Sequence, residues 1–199
     1  MSETNVAKPA STIGLRDVVV VKLLTDTAEG TTYDTTVKKL ATAISVQLSE
    51  NNNDPDVQYY DDVEGDVLNK DPELKGTFEL ADILPADQAF LLGAAVDSKG
   101  VMVRKATDKA PYCAWGFKSV KSNGEDRYVW LYKGRASMPN ENYATKQGAD
   151  ITRQTAKMEV TFIKRTSDDM WKTTVDANTT AFASVKASFF DAPYAPSVT

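Results

Sequence analysis

The chain has 199 residues, 42% hydrophobic and 26% charged, a balance typical of a globular domain. Its formal net charge of −5 argues against tight binding of nucleic acid, because phosphate contacts require clustered Lys and Arg. Histidine is absent and cysteine occurs once, which excludes Ser-His and Cys-His nucleophile pairs, nearly all zinc sites and an intrachain disulfide.

The start of the chain predicts a polar arm followed by a strand. Residues 1–12 are small and polar, and we expect them to form an N-terminal arm. The β-branched and leucine-rich run 18–25 predicts a strand that ends in a turn over residues 25–30. This run contains Lys22 and is far too short to span a bilayer, so we expect no membrane contact.

Two alternating segments with an acidic stretch between them come next. Ile44, Val46 and Leu48 alternate with polar residues and predict a half-buried strand. Residues 51–56 predict a polar loop, and the acidic residues 61–72 predict an extended loop or weak strand. A further strand is predicted by the alternation of Leu74, Gly76, Phe78 and Leu80.

One short helix is expected between Pro85 and Gly93. Pro85 suits the first helical turn, Asp87 the positive end of the helix dipole, and Gly93 the position after the last turn. We expect its buried stripe to consist of Ala86, Ala89 and Phe90. After a turn over residues 97–100, residues 101–105 predict a brief strand.

Asn123-Gly124 lies between two aromatic strand-like runs and predicts a two-residue type I′ hairpin turn. Facing residues would then have numbers that add to 247, with Phe117 opposite Trp130 and Trp115 opposite Tyr132. The large aromatic side chains would share one face of the hairpin. The second strand is apolar on both faces, so we expect protein to cover both.

The last third predicts three more strands and a C-terminal tail. Met158, Val160 and Phe162 alternate with polar residues, and a turn over 167–169 leads into a strand over 170–176. A final strand is predicted by Val185, Ala187 and Phe189, before the Pro-rich tail 191–199. Taken together, the elements predict a mostly β fold, an antiparallel sandwich or barrel with one short helix, in a single domain over residues 1–199.

Three segments together resemble the major tail proteins of long-tailed phages: residues 123–134, 138–146 and 151–155. More narrowly, they are similar to the tail-tube family of the phi13 type. A weaker match extends to residues 13–18 and 41–45, so the likeness covers most of the chain except its two ends. The chain departs from this family at residues 156–159, where relatives are expected to carry Pro and Gly.

The resemblance implies a structural virion protein that assembles into stacked hexameric rings, forming the tail tube through which phage DNA is ejected. Its partners would be other copies of itself and the tape-measure, tail terminator and distal tail proteins, with DNA passing through without specific binding. Assembly would take place in the host cytoplasm, without a catalytic site, metal or cofactor. Six subunits would carry 6 × −5 = −30 charges per ring. We expect part of this charge to face the lumen, and added salt to favour assembly by screening it.

Other functions are weighed against this one. A monomeric carbohydrate-binding module would use exposed aromatics, for which the candidates are Trp115, Phe117, Tyr128, Trp130 and Tyr132, although burial of these side chains is the simpler expectation. A hydrolase would need paired carboxylates, but 61–62 and 168–169 have the context of turns. Residues 51–56 lack the glycine of a calcium loop, and Cys113 is expected to be a buried apolar residue.

Overall fold

A computed structural model describes residues 10–40, 43–51, 56–60, 63–68, 73–139 and 155–196, and for residues 51, 56–60 and 63–68 it describes the backbone alone. The elements in chain order are β1 Thr12–Thr27, β2 Gly30–Tyr33, β3 Lys38–Lys39, β4 Ala43–Asn51, β5 Asp56–Tyr60, β6 Val63–Leu68, β7 Glu73–Leu80, α1 Pro85–Leu92, β8 Ala95–Val96, β9 Met102–Val103, β10 Tyr112–Lys121, β11 Asp126–Ala136, β12 Ala156–Phe162, β13 Lys172–Asp176 and a 3-10 turn, η1, Thr180–Ser184.

The main sheet is antiparallel throughout and follows the order β2-β1-β10-β11-β12-β7-β4. Strand β3 also pairs with β1, and β11 pairs with β13 along its first half and with β12 along its second. The rings of Phe78 on β7 and Trp115 on β10 are 4.5 Å apart, although β11 and β12 separate these strands in the sheet. The sheet therefore folds back on itself in a sandwich-like manner without closing into a barrel, and the prediction of a mostly antiparallel β fold is confirmed.

The space inside this fold is filled by one large apolar group, which we call the central cluster. Its members come mainly from alternate positions of the strands on both sides: Val18, Val20, Leu74, Phe78, Leu80, Trp115, Phe117, Val129, Leu131, Met158, Val160 and Phe162. Strands β7 and β12 show the alternation of buried and less buried residues that the sequence predicts. The alternating strands at residues 74–80 and 158–162 are therefore confirmed.

A second apolar group, the C-terminal cluster, covers the opposite face of β1, β10 and β11. It contains Val19, Val21, Ala114, Tyr128, Trp130, Tyr132, Phe182 and Phe189. Partly buried Phe190 and Tyr194 pack against it. Both faces of the aromatic strand β11 are thus covered by protein, as the sequence predicts.

The register of the β10–β11 hairpin differs from the prediction by one residue. Phe117 pairs with Val129, and the predicted pair of Phe117 with Trp130 is wrong. The loop has three residues, because Lys121 N donates to Glu125 O and only Gly124, at φ 83°, adopts positive φ. A type I′ turn would also require positive φ at Asn123.

This shift divides the aromatics between the two clusters. Trp115 and Phe117 face the central cluster, whereas Tyr128, Trp130 and Tyr132 face the C-terminal cluster. The expectation that all of them share one face is therefore wrong. The extra loop residue is accommodated by a bulge in which Gly takes the left-handed conformation.

Two further predictions need correction. Residues 185–189 form turns after η1 and not a strand, although Phe189 is buried as expected. In α1 the predicted Pro start and the left-handed Gly93 are confirmed, but its buried residues are Gln88, Ala89, Leu91 and Leu92. Ala86 is exposed and Phe90 is half-buried.

The ends of the chain are described only in part. The predicted arm 1–12 overlaps β1, which already begins at Thr12, and residues 1–9 lie outside the described part. In the predicted tail, residues 191–196 are described, and Tyr194 packs against Phe189 with ring centroids 5.3 Å apart. This part of the tail therefore packs on its own chain.

Two antiparallel ladders, β4–β7 and β5–β6, are formed by the described residues between 43 and 80. In the β4–β7 ladder the paired residue numbers add to 124 from the pair of Ser45 with Glu79 onward. The separate β5–β6 ladder begins with the same sum, since Asp56 pairs with Leu68. The two ladders thus share a pairing sum, where the sequence predicted a polar loop over 51–56 and an extended loop or weak strand over 61–72. Residues 52–55, 61–62 and 69–72 lie outside the described part.

Candidate interaction surfaces

The described carboxylates act as structural ties. Asp168 binds the guanidinium of Arg165 and accepts a hydrogen bond from Met170 N at 3.2 Å. Neighbouring Asp169 has φ 55° and forms an exposed ion pair with Lys164. This pair therefore belongs to a turn, as predicted, while residues 61–62 lie outside the described part.

Asp26 links β1 to β11 and to the loop after β12. Its carboxylate accepts hydrogen bonds from Lys133 Nζ at 2.5 Å and from Thr166 N at 2.9 Å. Burial by itself would raise the pKa of Asp26, but these donors hold its pKa well below the usual range. A carboxylate so firmly ionised is a weak proton acceptor, which suits a structural tie better than a general base.

Asp176 makes a similar tie at the end of β13. Its carboxylate accepts a hydrogen bond from Arg127 Nε at 2.7 Å and also pairs with Lys121, whose side chain is largely buried. Hydrogen bonding from Arg127, opposed by partial desolvation, lowers the pKa of Asp176 to about 2. The ion pairs join β10, β11 and β13 just before the chain enters the C-terminal cluster.

The single thiol is inert in this setting. Cys113 is 2% exposed within the central cluster, and burial raises its pKa to about 12. A thiolate is the nucleophilic form of cysteine, so this environment suppresses reactivity. The prediction of a buried apolar role for Cys113 is confirmed.

An open pocket of about 650 Å³ lies at the end of β12, beside Lys133, Ile163, Arg165 and Trp171. Its two most buried cations are already engaged. Lys133 pairs with Asp26, and Arg165 binds Asp168 and stacks 4.0 Å from the ring centroid of Tyr132. The pocket thus presents apolar side chains without an uncommitted buried charge among the described residues.

The aromatics considered for glycan binding are all buried. Trp115, Trp130 and Tyr132 have no exposed surface, and Tyr128 and Phe117 are 3% and 6% exposed. These five residues belong to the apolar core, as the sequence analysis expects. They leave no exposed aromatic surface that a sugar could bind. They carry no argument for a carbohydrate-binding module.

Three exposed valines lie on or between the two strands of the small β8–β9 ladder. Val101, Val96 and Val103 are 55%, 44% and 43% exposed, where burial would be usual for valine. The exposed side chains of Lys99, Arg104, Lys105 and Lys109 lie around them in the sequence. We call residues 95–109 the valine–lysine surface. The sequence analysis missed it, although a basic run next to alternating valines was a visible signal.

This surface is held against α1. Gly93 adopts φ 71°, and a Cβ atom there would overlap the carbonyl oxygen of Lys109. Within the surface, Asp97 Oδ1 accepts hydrogen bonds from Lys99 N and Val101 N at 2.8 Å each. Asp108 Oδ2 likewise accepts from Lys105 N at 2.7 Å. The two carboxylates thus shape the turns. None of the four cations forms a described ion pair with either carboxylate.

Negative charge is concentrated in one segment of the sequence. Residues 51–69 contain six Asp and Glu residues and no Lys or Arg. Because the whole chain has a net charge of −5, the remainder carries −5 + 6 = +1. The net negative charge of the protein therefore comes from this one segment of the sequence.

Within the described ranges, no three His, Cys, Asp or Glu side chains are grouped so that they could hold a metal ion. The suggested calcium loop at 51–56 falls mostly outside those ranges. A membrane-crossing helix was also sought in the described part of the chain, and none is long and apolar enough. Compared with protein-family models and with curated proteins, the chain matches none.

Proposed function

We propose that this chain is a major tail protein, a structural subunit that assembles into stacked hexameric rings and forms a phage tail tube. Other copies of the chain would be its main partners, with tape-measure, terminator and distal tail proteins at the inside and ends of the tube. It would reside in the virion tail after assembly in the host cytoplasm. In this role DNA passes through the tube without specific binding, and the chain has no catalytic function.

The observation that carries the proposal is the two-stranded ladder β5–β6, which shares its first pairing sum with the β4–β7 ladder at the edge of the main sheet. A monomer gains little from a two-stranded extension, because an isolated hairpin is marginally stable in water. An assembling subunit gains a segment that can bury its faces against a neighbour. The described carboxylates, acting as ties, and the inert thiol also fit a structural role.

Microscopy of the purified chain tests the proposal. Negative-stain images and sedimentation velocity over rising protein concentration should show rings or tubes. A variant in which a short Gly-Ser turn replaces residues 56–68 should keep the Asn51–Glu73 end of the β4–β7 ladder and remain folded, yet fail to form tubes. A matched control lacking residues 197–199 should assemble normally. A wild-type chain that stays monomeric at every concentration would refute the proposal.

A further inference from the structure

We infer that the outer edge of strand β9, in the valine–lysine surface, binds an extended acidic segment of another protein, which adds to the β8–β9 ladder as a further strand. The inference goes beyond the proposed tube function, because the site needs no second copy of this chain. It accounts for three features that the described fold leaves unused: an open ladder edge, exposed valines and cations without a described ion pair.

The edge of the ladder is open on the side of β9. In the described part of the chain, β8 and β9 form a two-stranded sheet of their own. Asp97 N donates to Val101 O at 2.9 Å, so the backbone groups of Val101 point towards β8. This direction alternates along an antiparallel pair, and the N–H and C=O of Met102 therefore point away from β8. An added peptide strand satisfies outward-pointing backbone groups of this kind.

Exposed apolar side chains lie on both faces of the ladder. Val96 pairs with Met102 and shares its face, whereas Val101 and Val103 belong to the other face, because strand side chains alternate. The three valines are 43–55% exposed. A lipid bilayer or a nucleic acid would cover only one of the two faces. An added strand places side chains on both, so the arrangement favours an extended peptide.

The charge of the surface selects an acidic peptide. Four exposed cations form no ion pair within the described part of the chain: Lys99, Arg104, Lys105 and Lys109. Residues 97–109 hold four Lys and Arg against two Asp, a net charge of +2. Arg104 and Lys105 directly follow β9, so an antiparallel partner strand would place acidic residues opposite them and apolar residues opposite the valines. Opposite charges on neighbouring strands favour pairing, and like charges oppose it.

The ladder is held in place before a partner binds. Gly93, at φ 71°, allows the backbone of Lys109 to pass close to the end of α1. At the other end of the ladder, Asp97 Oδ1 accepts hydrogen bonds from Lys99 N and Val101 N. An edge that is already ordered reduces the entropy that is lost when a peptide strand is added.

Binding of designed peptides tests the inference. The probe is a peptide of about eight residues, acidic in its first half and rich in Val and Thr in its second half. One control peptide carries Lys in place of every acidic residue, and another is methylated at alternate backbone nitrogens, so that one edge cannot donate. In nuclear magnetic resonance titrations the probe should shift the methyl signals of Val101 and Val103 and protect the amide of Met102 from exchange. Each control should bind on the order of tenfold more weakly.

Charge variants of the chain test the role of the cations. Arg104→Glu with Lys105→Glu presents like charges to the probe and should weaken its binding on the order of tenfold. Lys172→Glu with Lys186→Glu, at exposed positions elsewhere, changes the net charge by the same amount and should bind the probe like wild type. Because all four side chains are exposed, both variants should keep the circular dichroism and melting of wild type. Equal binding by the two variants would refute the role of these cations and the inference.

The apolar contact is tested by Val101→Thr with Val103→Thr, which keeps β-branching and should weaken probe binding by about threefold or more. Undiminished binding would refute the inference, as would equal binding of either control peptide. Wild type that binds a DNA oligonucleotide or phosphatidylserine vesicles but not the probe would refute it as well. If the Met102 amide becomes protected in wild type alone as protein concentration rises, a second copy occupies the edge and the inference is wrong. Absence of tubes refutes only the proposed function, because the titration uses dilute protein.

Discussion

The two apolar clusters lie on opposite faces of the same three strands and are closed in different ways. The central cluster is closed by strands β7 and β12, which belong to the same sheet. The C-terminal cluster is closed by η1 and the turns after it, which contribute Phe182, Phe189 and Phe190. An aromatic strand can thus be buried on one face by other strands of its sheet and on the other face by irregular chain.

The irregular cover is fixed by specific contacts. Trp130 Nε1 donates to Phe189 O at 2.9 Å, and Tyr132 Oη donates to Tyr194 O at 2.7 Å. Edge-to-face rings add to this, as for Phe182 and Phe189 at 5.1 Å. Backbone carbonyls that strand pairing would have satisfied are satisfied here by aromatic side chains.

Removing the cover should have the largest effect. A chain truncated after Ala177 would expose Tyr128, Trp130 and Tyr132, each worth about 2–3 kcal/mol of burial. The total exceeds about 5 kcal/mol, which is comparable to the whole stability of many domains. We expect loss of the near-ultraviolet circular dichroism signal and strong binding of a hydrophobic dye. A chain lacking only 197–199 loses no described contact and should melt like wild type; equal melting of the two truncations would show that the cover is dispensable.

Two tryptophans allow the clusters to be compared directly. Trp115 and Trp130 are both fully buried, but Trp115 Nε1 has no hydrogen-bond partner among the described residues. Trp130→Phe removes volume and leaves the Phe189 carbonyl unpaired, whereas Trp115→Phe removes volume and an unpaired donor. We expect Trp130→Phe to lower the free energy of unfolding in urea by about 1–2 kcal/mol more than Trp115→Phe. Equal losses would mean that the indole bond contributes nothing.

Acid should weaken the ion pairs of Asp176 that join β10, β11 and β13 beside the C-terminal cluster. The pKa of Asp176 is lowered to about 2 in the folded chain, from 3.8. A pKa lower in the folded state adds stability above the unfolded pKa and loses it as pH falls through the folded value. Asp176→Asn should therefore cost about 1–2 kcal/mol at pH 7, after allowance for partial solvent exposure. The difference from wild type should disappear between about pH 4 and about pH 2. A difference that persists unchanged at pH 2 would rule out the ion pairs as its source.

Sequence patterns predicted the central cluster and missed the C-terminal cover for a physical reason. Alternation at Met158, Val160 and Phe162 reports one buried face of a strand, because strand side chains alternate by two. Val185, Ala187 and Phe189 alternate equally well, but there the chain turns, and tertiary packing of Phe189 decides its conformation. Alternation with a period of two therefore predicts a strand only where a partner strand is available. The sequence alone does not show whether such a partner exists.

The interaction surfaces were predictable only in part. The charge of residues 51–69 is visible in the sequence, but the register of β5 with β6 is visible only from the paired strands. Likewise, Val101 and Val103 looked like ordinary strand residues, and their exposure depends on β8 and β9 forming a separate small sheet. A surface made of exposed apolar side chains can be recognised only when the packing of the rest of the chain is known.

The smallest effect is expected at the loop that divides the aromatics between the clusters. Deleting Ser122 leaves Asn123-Gly124 as a two-residue loop and keeps Lys121 opposite Glu125. Because Asn-Gly suits a type I′ turn, the register of β10 and β11 should persist, at a cost below about 1 kcal/mol. If Asn123-Gly124 alone formed the native loop, deleting Ser122 would instead shift the register of β10 and β11. The shift would move Trp130 to the other face. Cross-strand amide contacts in nuclear magnetic resonance spectra distinguish these outcomes, since Phe117 should remain paired with Val129.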